Sequence, residues 1–340
     1  MSRQLWIDVL RGFCMVMIVF DHTEVCFTGN NIIPYELYVP DVLMTFFFLS
    51  GYLFYRPQGF DVRHKLMSVL RSLVVPYFIF VTLLALPKAF LHGNSVVVST
   101  MAWRIVSGQE SWFISALAVC ELVFSLILWL TKERMPGLMV FLAVAMALDI
   151  VLGSGNMLLV TDYWHINEAS VSLIFIFLGY LCHRYCGLQS FYLRKGKWAI
   201  AVSMLIVVLL CMKLYMYGHL VHSVTVNALV WPHGSLLSVT LSVLLFFVLF
   251  SRIPQGKACT ETVAVSALSW VGCHSLVYYF FCSGIPSALT IALAKAGYSY
   301  QGNYWEVIPV FFINMLLITV VVWIVYRYFP WMTGKRRQPL

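Results

Sequence analysis

The 340-residue sequence predicts an all-α membrane protein, a bundle of about ten transmembrane helices with both termini in the cytoplasm. Three observations predict this fold class: the composition, the spacing of the apolar runs and the placement of the basic residues. Apolar residues make up 61% of the chain and charged residues 11%, whereas soluble domains contain about 25% charged residues. This composition excludes a soluble enzyme, a disordered chain and a nucleic-acid-binding protein.

Apolar runs of membrane-spanning length follow one another along the whole chain, and connectors rich in Asn, Pro and Gly separate them. We predict one helix for each run. The ninth run continues past Pro286 towards Ala294, where a break or a re-entrant segment is expected. The runs are 5–27, 39–55, 72–91, 112–130, 136–152, 167–183, 198–217, 228–250, 263–285 and 306–328.

The basic residues predict the orientation. With these spans and a cytoplasmic N-terminus, 18 of the 22 lysines and arginines fall on the cytoplasmic side. The opposite side receives Lys88, Arg104, Lys213 and Lys295. Omitting any span would scramble this asymmetry. We therefore predict one membrane-embedded domain over residues 1–334 and a short basic cytoplasmic tail at residues 335–340.

The nine cysteines are scattered, mostly within apolar runs, and no Cys-x-x-Cys pair occurs. Free cysteine packs as a small hydrophobic side chain, so we expect filler residues and no metal site. No internal repeat is visible, which gives an inverted-repeat transporter no support.

Ionisable side chains within the first run require an explanation, because each costs a few kcal/mol in the bilayer. Arg11 and His22 are eleven residues apart, so they return to nearly the same helix face about 16 Å apart along the axis. Asp8 can pair with Arg11 three residues on. Arg11 and His22 thus form a polar stripe along one face of the helix. A structural ion pair of Asp8 with Arg11, together with a solvated helix end, would also explain this stripe.

Further polar residues mark other runs. Ser50 and Gly51 interrupt an aromatic run and allow close helix packing. Arg63, Lys65 and Arg71 belong to a basic segment that suits either anionic lipid headgroups or a phosphorylated cofactor. Glu121, His233 and Trp112, which opens the fourth run, can each be a packing residue or a site residue.

Several blocks resemble, in order along the chain, the acyltransferase 3 family of bacterial membrane proteins. The blocks are Ile7–Gly12 followed by His22, Phe46–Gly51, Arg71–Tyr77, Trp112–Ile114 with Glu121, and Leu268–Gly272 through Leu276 and Tyr279. Among its branches the chain looks closest to sugar O-acetylases of the fucose-acetylase type. Two departures occur: Asp21 stands where many members have an uncharged residue, and Cys282 where the last block often ends in histidine.

The resemblance implies an integral enzyme of the bacterial inner or plasma membrane, in contact with membrane lipid, that moves acetyl from acetyl-CoA to a glycan or lipid-linked saccharide. His22 would be the catalytic histidine, with Arg11 serving the donor or the transition state and Asp21 or Glu24 orienting the imidazole. Donor binding is assigned to Arg11 and to four further residues, Ser50, Arg63, Lys65 and Arg71. Acceptor binding is assigned to Trp112, Glu121 and His233.

Imidazole near its ordinary pKa of about 6.5 suits proton abstraction from a sugar hydroxyl. The hydroxyl would attack the thioester, or an acyl group already carried by His22; the sequence leaves both routes open. Two rival classes remain: a proton-coupled transporter or flippase of a lipid-linked sugar that uses Asp8, Arg11 and His22, and a non-enzymatic scaffold or receptor.

Overall fold

The computed structural model describes residues 4–91, 97–153, 163–185, 195–222, 231–253 and 262–334. All regular secondary structure in these ranges is helical, which confirms the predicted class. The helices are α1 (Leu5–Thr28), α2 (Val39–Phe54), α3 (Val62–Val69), α4 (Val75–Leu91), α5 (Val98–Val106), α6 (Trp112–Thr131), α7 (Met135–Gly153), α8 (Ile166–Tyr185), α9 (Lys195–His222), α10 (Trp231–Phe250), α11 (Val263–Cys273), α12 (Ser275–Phe281), α13 (Gly284–Lys295) and α14 (Val307–Tyr328).

Helices occupy every predicted run, whereas α3, α5 and most of α13 lie outside the runs. By length and composition, four described segments can cross a membrane: Val62–Pro87, Trp112–Thr131, Tyr163–Tyr185 and Tyr304–Tyr328. α1 is long enough but carries four charged side chains, Asp8, Arg11, Asp21 and Glu24. The chain is a helical membrane protein, whereas the count of ten spans and the orientation of the termini stay predictions. The basic tail at residues 335–340 lies outside the described residues.

The ninth predicted run is broken earlier than expected. α11 ends at Cys273, and α12 begins at Ser275 with its axis bent by 74°. A second interruption follows α12, and α13 then runs through Pro286 as a continuous helix. The ninth run is therefore broken as expected, but at His274 and after α12 and not towards Ala294. Pro286 lies in the first turn of α13, where a proline gives up no intrahelical hydrogen bond.

The third predicted run begins earlier in the structure. α3 starts at Val62, capped by the Asp61 side chain, which accepts the backbone N–H of His64. It continues into α4 through a wider π-helical turn, Leu70–Val74, in which the Val75 N–H donates to the Leu70 carbonyl. Pro76 accounts for this turn, because it has no N–H to donate and its ring crowds the preceding carbonyls. Arg71 lies within the turn.

Two compact units share the chain, Met1–Phe46 with Cys186–Val322 and Phe47–Tyr185 with Trp323–Leu340. In the first unit, the backbones of α1 and α11 touch. A Cβ atom on Gly12 would lie 1.9 Å from the Leu268 carbonyl oxygen, and one on Gly272 would lie 1.8 Å from that of Asp8. Only glycine permits this approach, so two of the blocks noted in the sequence pack directly on each other.

The second unit uses the same device between α2 and α8. A Cβ atom on Gly51 would lie 1.9 Å from the Ile176 carbonyl oxygen, and one on Gly179 would lie 1.9 Å from that of Phe48. The close approach predicted from the Ser50–Gly51 pair is therefore confirmed. It also brings the Ser50 hydroxyl into the interior of this unit, where the residue is buried.

Candidate active site

The residues of the predicted catalytic stripe lie on α1 in the first unit. Arg11 and His22 are both half-buried and lie on one continuous helix. Their spacing of eleven positions sets an axial separation of about 16 Å, as the sequence predicts. Gly12, next to Arg11, is pressed against α11, so backbone contact holds the part of the stripe near Arg11.

The two carboxylates proposed to orient His22 have other partners in the structure. Glu24 is fully buried, and its carboxylate accepts the backbone N–H of Ile33 at 3.2 Å. Asp21 is also buried and accepts the Tyr38 hydroxyl at 3.5 Å. Both therefore tie α1 to the connector that leads into α2. Their assignment to His22 stays a prediction.

Two tyrosines of this connector stay neutral. Burial, together with the nearby Asp21 and Glu36 carboxylates, raises the pKa of Tyr35 to about 12. Burial likewise raises the pKa of Tyr38 well above its ordinary value, with the same Asp21 as the next cause. Tyr38 can therefore serve as a hydrogen-bond donor to Asp21 at any physiological pH.

The first unit contains a buried ion pair that was not predicted from the sequence. The Lys213 ammonium lies 3.0 Å from Asp41 Oδ1 and 2.9 Å from Oδ2, and the Asp41 residue is almost fully buried. The sequence placed Lys213 among the cations of the outer side. Its position inside the apolar run 198–217, four residues from the end, was the available signal, because an intramembrane cation needs a partner.

In the second unit, the structure joins three predicted site residues. The Glu121 carboxylate accepts the Ser50 hydroxyl, and its other oxygen lies 2.8 Å from the Lys65 ammonium. The same ammonium lies 3.9 Å from the centre of the Phe54 ring, a cation–π contact. From the sequence, Ser50 and Lys65 were assigned to donor binding and Glu121 to acceptor binding. The structure shows one hydrogen-bonded group instead, which we call the Glu121 cluster (Ser50, Lys65 and Glu121).

Replacing Lys65 with methionine should lower the free energy of unfolding by about 2 kcal/mol, because the largely buried Glu121 carboxylate would lose its counter-charge. The thermal unfolding midpoint in detergent measures the effect. The matched double variant Lys65→Met/Glu121→Gln should recover most of the loss, because it leaves no unpaired charge. Equal loss in the single and double variants would contradict an ion pair that stabilises the fold.

Arg63 and Arg71 differ from Lys65. Both are exposed, and neither guanidinium forms a hydrogen bond or ion pair within the described part of the chain. Arg71 lies in the π-helical turn, where its position is set by the widened backbone. Of the three cations of the basic segment that were assigned to the donor, Arg63 and Arg71 are therefore available, and Lys65 is already paired.

The remaining predicted residues are dispersed. Trp112 is half-buried at the start of α6 and packs edge-on against Phe113, with ring centres 5.9 Å apart. His233 lies in α10, and its side chain falls outside the described residues. Over the ranges that the structure describes, no group of three or more His, Cys, Asp or Glu residues could hold a metal ion.

Comparison with known proteins adds one finding. The family model described as an acyltransferase domain matches residues 4–327, from the start of α1 to the end of α14. No curated protein matches the chain. The match covers every block of the sequence resemblance and both units of the structure.

Proposed function

Because this chain belongs to the acyltransferase 3 family, an integral membrane acyltransferase family, we propose that it transfers acetyl from acetyl-CoA to a glycan hydroxyl. The acceptor would be a cell-surface or lipid-linked saccharide, and the protein would act in the inner or plasma membrane of a bacterium. The observation that carries the proposal is the placement of Arg11 and His22 on one continuous helix, eleven positions apart and so on one face, within the matched family domain.

The proposed chemistry uses His22 as the general base. Its imidazole takes the proton of the acceptor hydroxyl while the hydroxyl oxygen bonds to the thioester carbonyl carbon. The carbon–sulfur bond then breaks, and the leaving thiolate takes up the proton that His22 holds. Arg11 lies about 16 Å from His22 along α1, too far to act on the same carbonyl, and it holds the pantetheine–phosphate end of the donor instead. The products are the ester and free CoA.

The residues assigned to donor binding are the cations that are exposed and not already in an ion pair. Thioester donors of this type carry several phosphate charges, and exposed arginines bind phosphate through two parallel hydrogen bonds. Arg63 and Arg71 provide such groups, whereas Lys65 is paired with Glu121. We therefore assign the donor phosphates to Arg63 and Arg71. The Glu121 cluster has a positioning role, because it holds α2, α3 and α6 together. Trp112 and His233 remain the proposed acceptor residues.

The decisive test compares the envelope glycans of wild-type and deletion cells by mass spectrometry. Loss of a unit of about 42 Da, which is acetyl replacing hydrogen, is expected in the deletion cells. Identical glycan masses would contradict the proposed acceptor class. Movement of a lipid-linked sugar across vesicles without any CoA compound would support the flippase instead.

Arg71→Ala should raise the KM for acetyl-CoA about tenfold, the loss of one charge-assisted phosphate contact, and leave kcat little changed. Initial rates of acetyl transfer at varied donor concentration measure this. Arg327→Ala, which removes another exposed arginine of the same unit, is the matched control and should leave the KM unchanged. Unchanged donor kinetics in Arg71→Ala would remove its assigned role.

A further inference from the structure

Glu133 joins three segments of the second unit that are distant in sequence. Its carboxylate accepts the Phe60 backbone N–H at 3.0 Å through one oxygen and the Tyr180 hydroxyl at 3.1 Å through the other. Its own carbonyl accepts Arg184 Nη1 at 2.8 Å. We call this arrangement the Glu133 clamp (Phe60, Glu133, Tyr180 and Arg184). It fixes the α2–α3 connector, the α6–α7 turn and the end of α8 against one another.

The α6–α7 turn has an unfavourable backbone. Lys132 and Glu133 have φ angles of 48° and 58°, consecutive left-handed conformations that residues with a Cβ atom rarely adopt. Such strain persists only where surrounding contacts hold it, and it is commonest at binding and catalytic sites. Here the three contacts of the Glu133 clamp hold the strained turn in place. A cation that merely sets membrane topology needs no fixed backbone position, whereas this turn is fixed.

Exposed cations surround the Glu133 clamp. Lys132 and Arg134 flank Glu133 on the strained turn, and the α2–α3 connector and the first turn of α3 add Arg56 and Arg63. None of these four side chains has an ion-pair partner among the residues that the structure describes. The acidic groups nearby are already engaged, since Glu133 belongs to the clamp and Asp61 caps α3.

We propose that Lys132 and Arg134, fixed by the Glu133 clamp beside Arg56 and Arg63, form a binding site for the phosphate groups at the nucleotide end of the acyl donor. This inference rests on the proposed function and deepens it, because it assigns the donor phosphates to residues beyond Arg63 and Arg71. Four exposed cations without counter-charges, carried on backbone that the clamp holds, suit a ligand with several phosphates. Tyr185, whose exposed ring lies 5.5 Å from the Arg184 guanidinium carbon, offers a surface on which a purine can stack.

The test uses the full-length protein in neutral phosphatidylcholine nanodiscs and two acetyl donors, with alkali-deacetylated envelope glycan from the source cells as acceptor. Acetyl-CoA carries the nucleotide, whereas S-acetylpantetheine lacks the nucleotide and its phosphates. In the variant Lys132→Gln/Arg134→Gln, the KM for acetyl-CoA should rise about tenfold, and the KM for S-acetylpantetheine should stay unchanged. Adenosine 3′,5′-bisphosphate should compete with acetyl-CoA in the wild type and about tenfold less well in the variant.

The control Arg252→Gln/Lys295→Gln removes two exposed cations of the first unit and should leave both KM values unchanged. An unchanged KM for acetyl-CoA in Lys132→Gln/Arg134→Gln would overturn the inference, as would an equal rise for both donors. A rise that occurs only in nanodiscs containing phosphatidylglycerol would also overturn it, because the bound phosphate would then be a lipid headgroup. Absence of transfer by the wild type would count against the proposed function itself.

Discussion

Replacing His22 with alanine should abolish acyl transfer and leave the amount of membrane-inserted protein unchanged. The variant loses the proposed general base, and general-base catalysis contributes about 10²–10⁴-fold to such rates. Because His22 is half-buried and alanine favours helix, the truncation does not break α1. Transfer of radiolabelled acetyl in purified membranes and the amount of protein by immunoblot are measured together.

Val25→Ala is the matched control, since Val25 is another half-buried side chain of α1, three residues further on. It should retain acyl transfer. A parallel loss of folded protein in His22→Ala would mean that the imidazole holds the bundle together and does not act on the substrate. A peptide containing His22 that gains about 42 Da when acetyl-CoA is supplied alone would select the covalent route.

Gly272→Val should cause a large loss of folded protein. A Cβ atom at this position would lie 1.8 Å from the Asp8 carbonyl oxygen, which belongs to the rigid backbone of α1. The two helices must separate, and overpacking of this kind costs at least about 3 kcal/mol. Fluorescence-detected size-exclusion chromatography of the detergent-solubilised protein measures the monodisperse fraction.

Gly284→Ala is the matched control, because a Cβ atom on Gly284 meets nothing within 4 Å. It should elute as the wild type does. Retention of a normal elution profile by Gly272→Val would show that α1 and α11 do not make the backbone contact on which the placement of Arg11 depends.

The secondary structure was largely predictable, because hydropathy and chain breakers are local properties. Each apolar run contains a helix. The contact of the Leu268–Gly272 block with α1 was not predicted. The ninth run was the exception. Its 74° bend lies at His274, between two apolar segments with no proline between them, so periodicity carries no signal for it.

Polar residues of the candidate site could be identified from the sequence, whereas their hydrogen-bond and ion-pair partners could not. Ser50, Lys65 and Glu121 all stood out in the sequence as polar residues in or beside apolar runs, yet nothing there indicated that they form one cluster. Asp21 and Glu24 stood out through their position near His22, but the structure pairs them with the connector after α1. A buried carboxylate binds whichever donor the packed neighbours present, and sequence proximity does not identify that donor.

The sequence by itself determined that this is a helical membrane protein and that α1 carries a cation and an imidazole on one face. Hydropathy and the rise of 1.5 Å per residue act along a single segment, so both conclusions need no other helix. Only the tertiary structure decided which charges pair: Lys65 with Glu121, Lys213 with Asp41, and the Glu133 clamp. These pairings depend on how separate helices pack, and the register of that packing is set by contacts such as Gly12 against Leu268 that no linear pattern contains.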